Sequence, residues 1–590
     1  MNTRYCLRTT DPELLVAARR EGLEGIVATV LANRAGAVGV TPGWLLDRSL
    51  AALDHPDTLP DIALAAQRIA SAVERREVIG IVTDADSDGV NANTVLYRAL
   101  TEHFGHPVAQ AQQYIGLKLT EGYGLSDGVA DRILAAHPRP GLLITADIGS
   151  SDGLRIARLR REGIDVVVTD HHGIPPGGGP EAAVAFVNPQ RGGHAYPDPL
   201  IAGVMVAWLV VAAVRRELQE RGTLPADAPR LGNLLGWVGT GTVADVVSLA
   251  RSRNNRIVVH HGLRQIGAGT HPCWRALRPE LGDPAKPLAA SDIAFGIGPR
   301  LNAAGRLHDA MTGVRFLLAA DAREAAAGLA VLNAANLQRR EIEKRLTAAA
   351  LAAAQEQVDT GRRGLVVFMP DGHAGVQGIV ASRLMQRYAR PAVCLSQVSD
   401  SAGLSCWSGS GRSGDTLHLL ELLQTLDARN PGLLVKYGGH AAAAGLTLNT
   451  GDEAHFAALF DAEVRLRLAG LPLENRVWVD ADVAEGQLSL GLVERLAEIG
   501  PYGREFPEPV LRGVFTVHEA REIGSEGGHW RLKLGLGRQP VDAIWFGVGH
   551  SCPVTPGEPV RLVFRPEANW WQGTPRLQLQ ILGIAREADS

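Results

Sequence analysis

Apolar positions change their spacing along this chain, and each change marks a different kind of structure. Residues 1 to about 76 carry apolar residues at helical spacing, through Leu14-Leu15, Ile26-Val27 and Ile62-Ala63-Leu64, with Pro60-Asp61 as a helix start. Residues 77 to about 250 alternate short β-rich runs with helical segments, the pattern of βαβ units on a parallel sheet. A long helix is predicted from Asp321 to about Val358, rich in Ala, Leu, Arg and Glu, without Pro and with only Gly328 as a weak spot. A fresh β-run opens at Leu365-Val366-Val367-Phe368 and begins a second α/β unit ending near residue 466. From Val477 onward β-runs are separated by turn signals, among them Trp530–Leu534, Val541–Phe546, Val560–Phe564 and Leu577–Ile581, which predicts a small antiparallel barrel. The expected division is 1–320, 321–360, 361–466 and 470–590: N-terminal helices with an α/β core, a connecting helix, a second α/β domain and a barrel.

The β-runs of the first region end in acids. Val78–Val82 leads into Asp84-Ala85-Asp86-Ser87-Asp88-Gly89, Leu142–Ala146 into Asp147, and Ile164–Thr169 into Asp170-His171-His172. A fourth acid, Asp245, closes Gly241-Thr242-Val243-Ala244 and is read as a further strand end. One Asp after a strand is most often a turn residue or a helix N-cap. Several such ends on one chain, one bearing two adjacent imidazoles, point instead to a metal site at the carboxyl edge of a parallel sheet. Oxygen-rich ligation with an imidazole suits Mn²⁺ or Mg²⁺ better than zinc. The pattern therefore predicts a two-metal hydrolase of phosphate esters.

Composition narrows this reading. With 590 residues the chain needs several cores, and 46% hydrophobic with 21% charged residues describes a globular protein. A net charge of −4 gives no overall footprint for nucleic acid, so a DNA-binding surface must be a local groove. The five cysteines are scattered without a Cys-x-x-Cys pair and read as reduced thiols of a cytoplasmic protein. Residues 1–20 lack the apolar stretch of a secretory signal. The longest apolar run, Leu200–Val214, stops at Arg215-Arg216, short of the roughly 20 residues of a bilayer span, and is read as a buried core helix. No Gly-x-x-x-x-Gly-Lys-Ser/Thr phosphate loop occurs, which argues against an ATP-driven motor.

From about Leu31 to the last strand the chain resembles the RecJ family of single-strand-specific 5′→3′ DNA exonucleases, within the DHH phosphoesterase superfamily. The resemblance is carried by Asp84–Gly89, Glu121-Gly122-Tyr123-Gly124-Leu125, Val168–His172, Gly241–Val247, Gly298–Arg306, Ser408–Ser413 and Gly438-Gly439-His440, in that order. It implies a DHH core, a DHHA1 substrate-binding domain and an OB-type barrel. It also implies two divalent ions, Mn²⁺ preferred or Mg²⁺. Asp86, with Asp84, would serve one ion, while Asp88, His171 and Asp245 serve the other and Asp147 bridges them. Asp170 would fix the imidazoles, and His172 would face the scissile phosphate. Ser408–Ser413 resembles a glycine-rich phosphate-cradling loop, with Ser410 and Arg412 beside Gly438, Gly439 and His440. Lys118, Arg300, Arg306 and Arg383 complete the implied substrate contacts, although the three arginines also fit ordinary structural roles.

Release of 5′-mononucleotides from single-stranded DNA in recombination and repair is the activity so implied. A monomer in the bacterial cytoplasm, associated with the nucleoid, is implied too, with a single-strand-binding protein and a RecQ-type helicase as partners and no membrane. Two other readings stay open: a phosphodiesterase of short oligonucleotides or cyclic dinucleotides, and an inert single-strand-binding scaffold. The barrel argues against the first and the full set of acids against the second. The chain departs from the family's usual residues at Thr83, Ala85, Asn91-Ala92, Lys118, Ile148, Gly372 and Phe506. Lys118 replaces an arginine, exchanging a bidentate phosphate grip for a point charge.

Overall fold

The computed structural model describes residues 3–117, 121–122, 124–192, 196–399, 405–414, 417–484, 486–536 and 539–586. The chain forms two compact units, one of Leu7–Asn333 with Trp478–Ser590 and the other of Met1–Cys6 with Ala334–Val477.

The apolar runs of the first unit become a five-stranded sheet: β1 (Ile79–Thr83), β2 (Ala111–Ile115), β3 (Leu142–Ala146), β4 (Asp165–Thr169) and β5 (Ala185–Val187). Its order is β2-β1-β3-β4-β5 and every pair is parallel. β1 and β3 are buried along their whole length, because helices cover both faces of such a sheet. Ile79, Ile81 and Ile144 pack into one core with helices Ile62–Glu74 and Gly203–Glu220, while Val82, Leu143 and Val168 pack into another with Asp127–Leu134 and Gly153–Arg161. Thr83 pairs with Ala146 and Ala146 with Thr169, so Asp84, Asp147 and Asp170 leave the sheet level with one another. β1 lies between β2 and β3, so the winding direction reverses at the β1/β3 gap, where open α/β sheets bind ligands.

Asp245 does not follow a strand. Leu235–Ala244 is a helix and Asp245 is its C-cap residue. The Gly- and Thr-rich stretch forms a helix because it is buried against a neighbour that needs small residues. A Cβ on Gly239 would lie 3.1 Å from the Val258 carbonyl oxygen of helix Arg253–Gly267, and the Thr240 and Thr242 hydroxyls bond back to the Gly236 and Val238 carbonyls. Tertiary packing thus overrides the β-propensity that suggests a strand. The N-terminal region likewise opens with a strand, Thr3–Leu7, where the apolar spacing predicts only helices.

The C-terminal β-runs close into a barrel. β11 (Ala481–Asp482) sits at its edge, and β12 (Leu511–Ile523), β13 (His529–Leu536), β14 (Gln539–Trp545), β15 (Pro559–Trp571) and β16 (Thr574–Ile584) form the ring. The ring runs β12-β13-β14-β16-β15 and closes by antiparallel pairing of β15 with β12; β14 and β16 are parallel. Within its unit the barrel is fastened to the N-terminal helices by buried ions. The Arg34 guanidinium holds both Asp480 carboxylate oxygens at 2.7 Å. Arg256, 1% exposed, donates to the carbonyls of Leu45, Leu249, Ile499 and Pro501. Phe506 lies buried under both guanidiniums, 5.6 Å from Arg34 and 4.3 Å from Arg256, with Tyr502 stacked on it. The aromatic at this departure position is therefore a cation–π platform.

The second unit holds a mixed sheet of β6 (Leu365–Met369), β7 (Ala392–Ser399), β8 (Ser405–Arg412), β9 (Leu434–Gly439) and β10 (Ala443–Asn449), in the order β9-β10-β8-β7-β6. Ser408–Arg412 belongs to central strand β8, paired on both sides, and is not a loop. Its alternating Ser and Gly residues let neighbouring strands approach closely, and its backbone serves the sheet ladders rather than a phosphate. The long helix spans Ala322–Asp359, close to the predicted bounds.

Candidate metal centre

The carboxyl edge of the first sheet gathers the acids and imidazoles. Asp86 is the N-cap of helix Ser87–Arg98, its Oδ1 accepting from the Asp88 and Gly89 amides at 2.9 and 3.1 Å. Asp88 is fully buried, and its carboxylate accepts from the Gly203 and Val204 amides at 2.8 and 3.2 Å, at the start of helix Gly203–Glu220. A side chain at Gly203 would put Cβ 2.8 Å from Asp147 Cβ, and one at Gly241 would put it 2.5 Å from Asp88 Oδ1. Both helices reach the site only because these positions are glycine. Asp147 itself turns through the left-handed region at φ 62, a conformation Asp tolerates better than most side chains.

The donor atoms meet in three groups, each within 4.8 Å: Asp84, Asp86 and Asp147; Asp88, His171 and Asp245; and Asp147, His171 and His172. Asp147 and His171 belong to two groups each. His171 Nε2 lies 3.1 Å from Asp147 Oδ1 and 3.6 Å from Asp245 Oδ2, while the ring is also held by the Ile201 backbone. Among the described residues, His171 Nε2 and Asp147 Oδ1 are buried without a hydrogen-bond partner. Two such atoms facing each other amid four further carboxylates are what a divalent cation would satisfy, so the donor set fits oxygen-preferring Mn²⁺ or Mg²⁺.

The electrostatics agree. Burial, then the charge of Asp86, pushes the Asp88 carboxyl up to about 7. Burial and the neighbouring carboxylates hold Asp147 and Asp245 well above the ordinary range. Burial and the charge of His172 lower His171 to about 4, leaving its ring neutral as a ligand must be. Burial would lower His172 too, but its 2.8 Å bond to Asp170 and that carboxylate's charge raise it to about 9. Asp170 Oδ1 also accepts from the His171 and His172 amides, and Oδ2 from Ser150 N. Burial would raise the Asp170 carboxyl, yet the His172 bond and the imidazole charges hold it far below its usual value. Asp170 is thus occupied in positioning, and His172 is a half-exposed imidazolium at the rim.

Sequence reading missed the residues that brace this loop. Asn188 donates to Ser150 Oγ and the His172 carbonyl, and Gln190 to the His171 carbonyl. It also missed the helix Gly203–Glu220 as a partner of Asp88; Gly203 heading an apolar helix was the available signal.

The expected substrate residues fall in several places. Arg300 is tied to Asn333, the Gly296 carbonyl and Glu280, and Arg306 lies in the same helix, Gly298–Leu307. In the second unit Arg383 pairs with Glu343 at 3.2 Å. Sheet register aligns Ser410 with Gly445 and Gly445 with Gly438, while Arg412 faces Ala443 and its guanidinium bonds Ser410 Oγ. Gly439 ends the neighbouring strand and His440 follows it. Lys118 lies outside the described residues.

Comparison with known proteins places this geometry. Residues 78–236 match the DHH family, N-terminal domain, residues 361–466 the DHHA1 domain, and residues 479–583 the RecJ OB domain. The fold and its edge of acids therefore define a DHH-family protein with DHHA1 and OB modules. A protein from Dickeya dadantii described as "Single-stranded-DNA-specific exonuclease RecJ" is 38% identical over 92% of this chain and 93% of its own length. The crystal structure of RecJ from Thermus thermophilus in complex with Mn²⁺ is 25% identical, with a TM-score of 0.79 over 99% of this chain and 80% of that one. A structure of RecJ from the same organism in complex with Mg²⁺ has a TM-score of 0.73 at 25% identity, over 99% and 79%. The chain belongs to the RecJ family. No helix among the described residues is long and apolar enough to cross a membrane.

Proposed function

We propose that this protein is a single-strand-specific 5′→3′ DNA exonuclease that hydrolyses phosphodiester bonds to release 5′-mononucleotides in recombination and repair. The carrying observation is the junction of three donor groups at Asp147 and His171, in a chain akin to single-stranded-DNA-specific exonucleases over nine-tenths of its length. Asp84, Asp86 and Asp147 would hold one cation, and Asp88, His171 and Asp245 a second, with Asp147 shared. Bound there, two Mn²⁺ or Mg²⁺ ions would supply Lewis acidity to the phosphate and an acidified water.

The chain's own residues do the rest. Asp170 fixes the His172 imidazole and holds the His171 amide, and the His172 imidazolium meets the charge that builds on the scissile phosphate. In the second unit Ser410, Arg412, Gly438, Gly439 and His440 bind the strand, with Lys118, Arg306, Arg300 and Arg383 as further contacts. Arg300 and Arg383 reach substrate only by giving up their present acidic partners. The barrel adds affinity for single strands. This reading sets the protein in a bacterial cytoplasm, on nucleoid DNA, as a monomer working with a single-strand-binding protein and a RecQ-type helicase.

Digestion of 5′- and 3′-labelled single-stranded DNA in Mn²⁺, with duplex and short RNA controls, tests the activity. Mononucleotides are expected first from the 5′ label, with duplex DNA resistant. Intact long strands alongside turnover of two- to five-nucleotide fragments would replace this reading with a small-substrate phosphodiesterase.

A further inference from the structure

Phe295 is 83% exposed, on a segment that packs against the helix ending at Asp245. It lies in Ile293–Ile297, a single π-helical turn that leads directly into helix Gly298–Leu307. Such turns are rare and are frequent at functional sites, although a second one, Ala99–His103, lies outside the metal centre. The turn has no freedom to bury the ring. Ile293 and Ile297 are fully buried on its inner side, and a Cβ on Gly296 would lie 2.4 Å from Leu281 Cδ2. The Arg300 guanidinium stiffens the turn further by bonding the Gly296 carbonyl at 2.7 Å.

The position of the turn gives the ring its meaning. A Cβ on Gly298 would lie 3.3 Å from Ala244 Cβ, so the turn abuts the residue preceding Asp245. From there the helix continues along the site, and Asn302 Oδ1 accepts from the Ser87 amide at 2.7 Å. On the other side of Asp245, Val246 is 60% exposed and held at φ 60, a conformation strongly disfavoured for a β-branched side chain. Strain of this kind persists at functional sites, where the surrounding structure holds it. Two apolar side chains thus project into solvent from the segments that meet at Asp245, where a surface chosen for solubility alone would be polar.

We infer that Phe295, with Val246 at the same edge, is a stacking shelf for a nucleobase of the strand being cut. The inference rests on the exonuclease reading and adds to it a base-contacting subsite at the metal centre. A rigid outward ring loses little entropy on stacking, and every base offers a π-face, so the shelf grips any sequence. The phosphates would be positioned by charge and the adjoining nucleoside by this apolar contact.

The test uses the full-length chain in Mn²⁺ with oligodeoxynucleotides carrying one tetrahydrofuran abasic residue at successive positions from the 5′ end. For each position the readout is the ratio of kcat/KM on the intact strand to that on the abasic strand. In the native chain this ratio should exceed about five at one position, the low end of base–aromatic stacking. It should fall close to one in Phe295→Ala and recover in Phe295→Trp. A ratio unmoved by Phe295→Ala, or absent at every position in the native chain, overturns the shelf and leaves the exonuclease standing. Failure of the native chain to cut any of the strands overturns the exonuclease reading itself, and the shelf with it.

Discussion

Asp88→Asn is expected to lose single-strand cleavage by roughly a thousandfold or more, the several kilocalories that cation catalysis supplies. His171→Ala should do the same, and single-strand binding measured in Ca²⁺ should stay within several-fold in both. Asp88→Asn should also make the metal-free protein more heat-stable. The Asp88 carboxyl rises to about 7 on folding because it is buried and faces Asp86. A group whose folded pKa is raised contributes fully below its unfolded value, and that contribution is lost as pH climbs through the folded one. The native, metal-free chain therefore loses stability between about pH 4 and about pH 7, while the asparagine carries no charge, keeps its one carbonyl oxygen for the nearer Gly203 amide and gives up the longer Val204 bond at every pH. Thermal melts in chelator should show the variant's advantage growing from about pH 5 to about pH 8. Near-native cleavage by Asp88→Asn would remove Asp88 from the ligand set. A variant that is inactive and also less stable at the alkaline end of that range would mean that Asp88 acts as a structural cap.

The parts of this site that can be read from sequence are those whose signal is local. A buried parallel strand writes itself as an unbroken apolar run, and the next residue is its carboxyl end; hence Asp84, Asp147 and Asp170 can be placed before any coordinates. Asp245 reads as a strand end on the same ground but arrives from a helix, because Gly and Thr propensity cannot reveal the neighbour at Val258 and Gly262. Ser408–Arg412 misleads for a similar reason. Glycine and serine mark turns when read alone, yet they also mark a strand hemmed in on both sides, and only the partners β7 and β10 decide. Phe506 reads only as a departure from the family's usual residue, and its role depends on Arg34 and Arg256, far away in sequence. Contacts that define a site from several hundred residues apart leave no periodicity to find.

The bond of Arg34 to Asp480 spans 446 residues, and Asp480→Ala should be the most damaging change outside the metal centre. Asp480 is fully buried in its side chain and Arg34 is 3% exposed, so neither charge can turn to water. Removing one partner strands the other, at a cost of about 3–5 kcal/mol. Asp480 Oδ2 also accepts from the Val510 amide at 2.9 Å, at the entry to the barrel, and its backbone carbonyl accepts from Asn33. The loss should appear as a lower first thermal transition and as faster proteolysis near residue 480, where the barrel leaves the N-terminal helices. Asymmetry separates a stranded charge from a merely lost contact. Arg34→Met combined with Asp480→Leu removes both charges and should recover much of the stability, since well-packed apolar replacements of buried ion pairs are often neutral or better. Recovery should stop short of complete, because the Val510 amide keeps no acceptor and Arg8, 3.4 Å from Asp480, loses its own partner. A double variant as damaged as Asp480→Ala would show that the fold needs the hydrogen-bond geometry of the pair, and not only the balance of its charges.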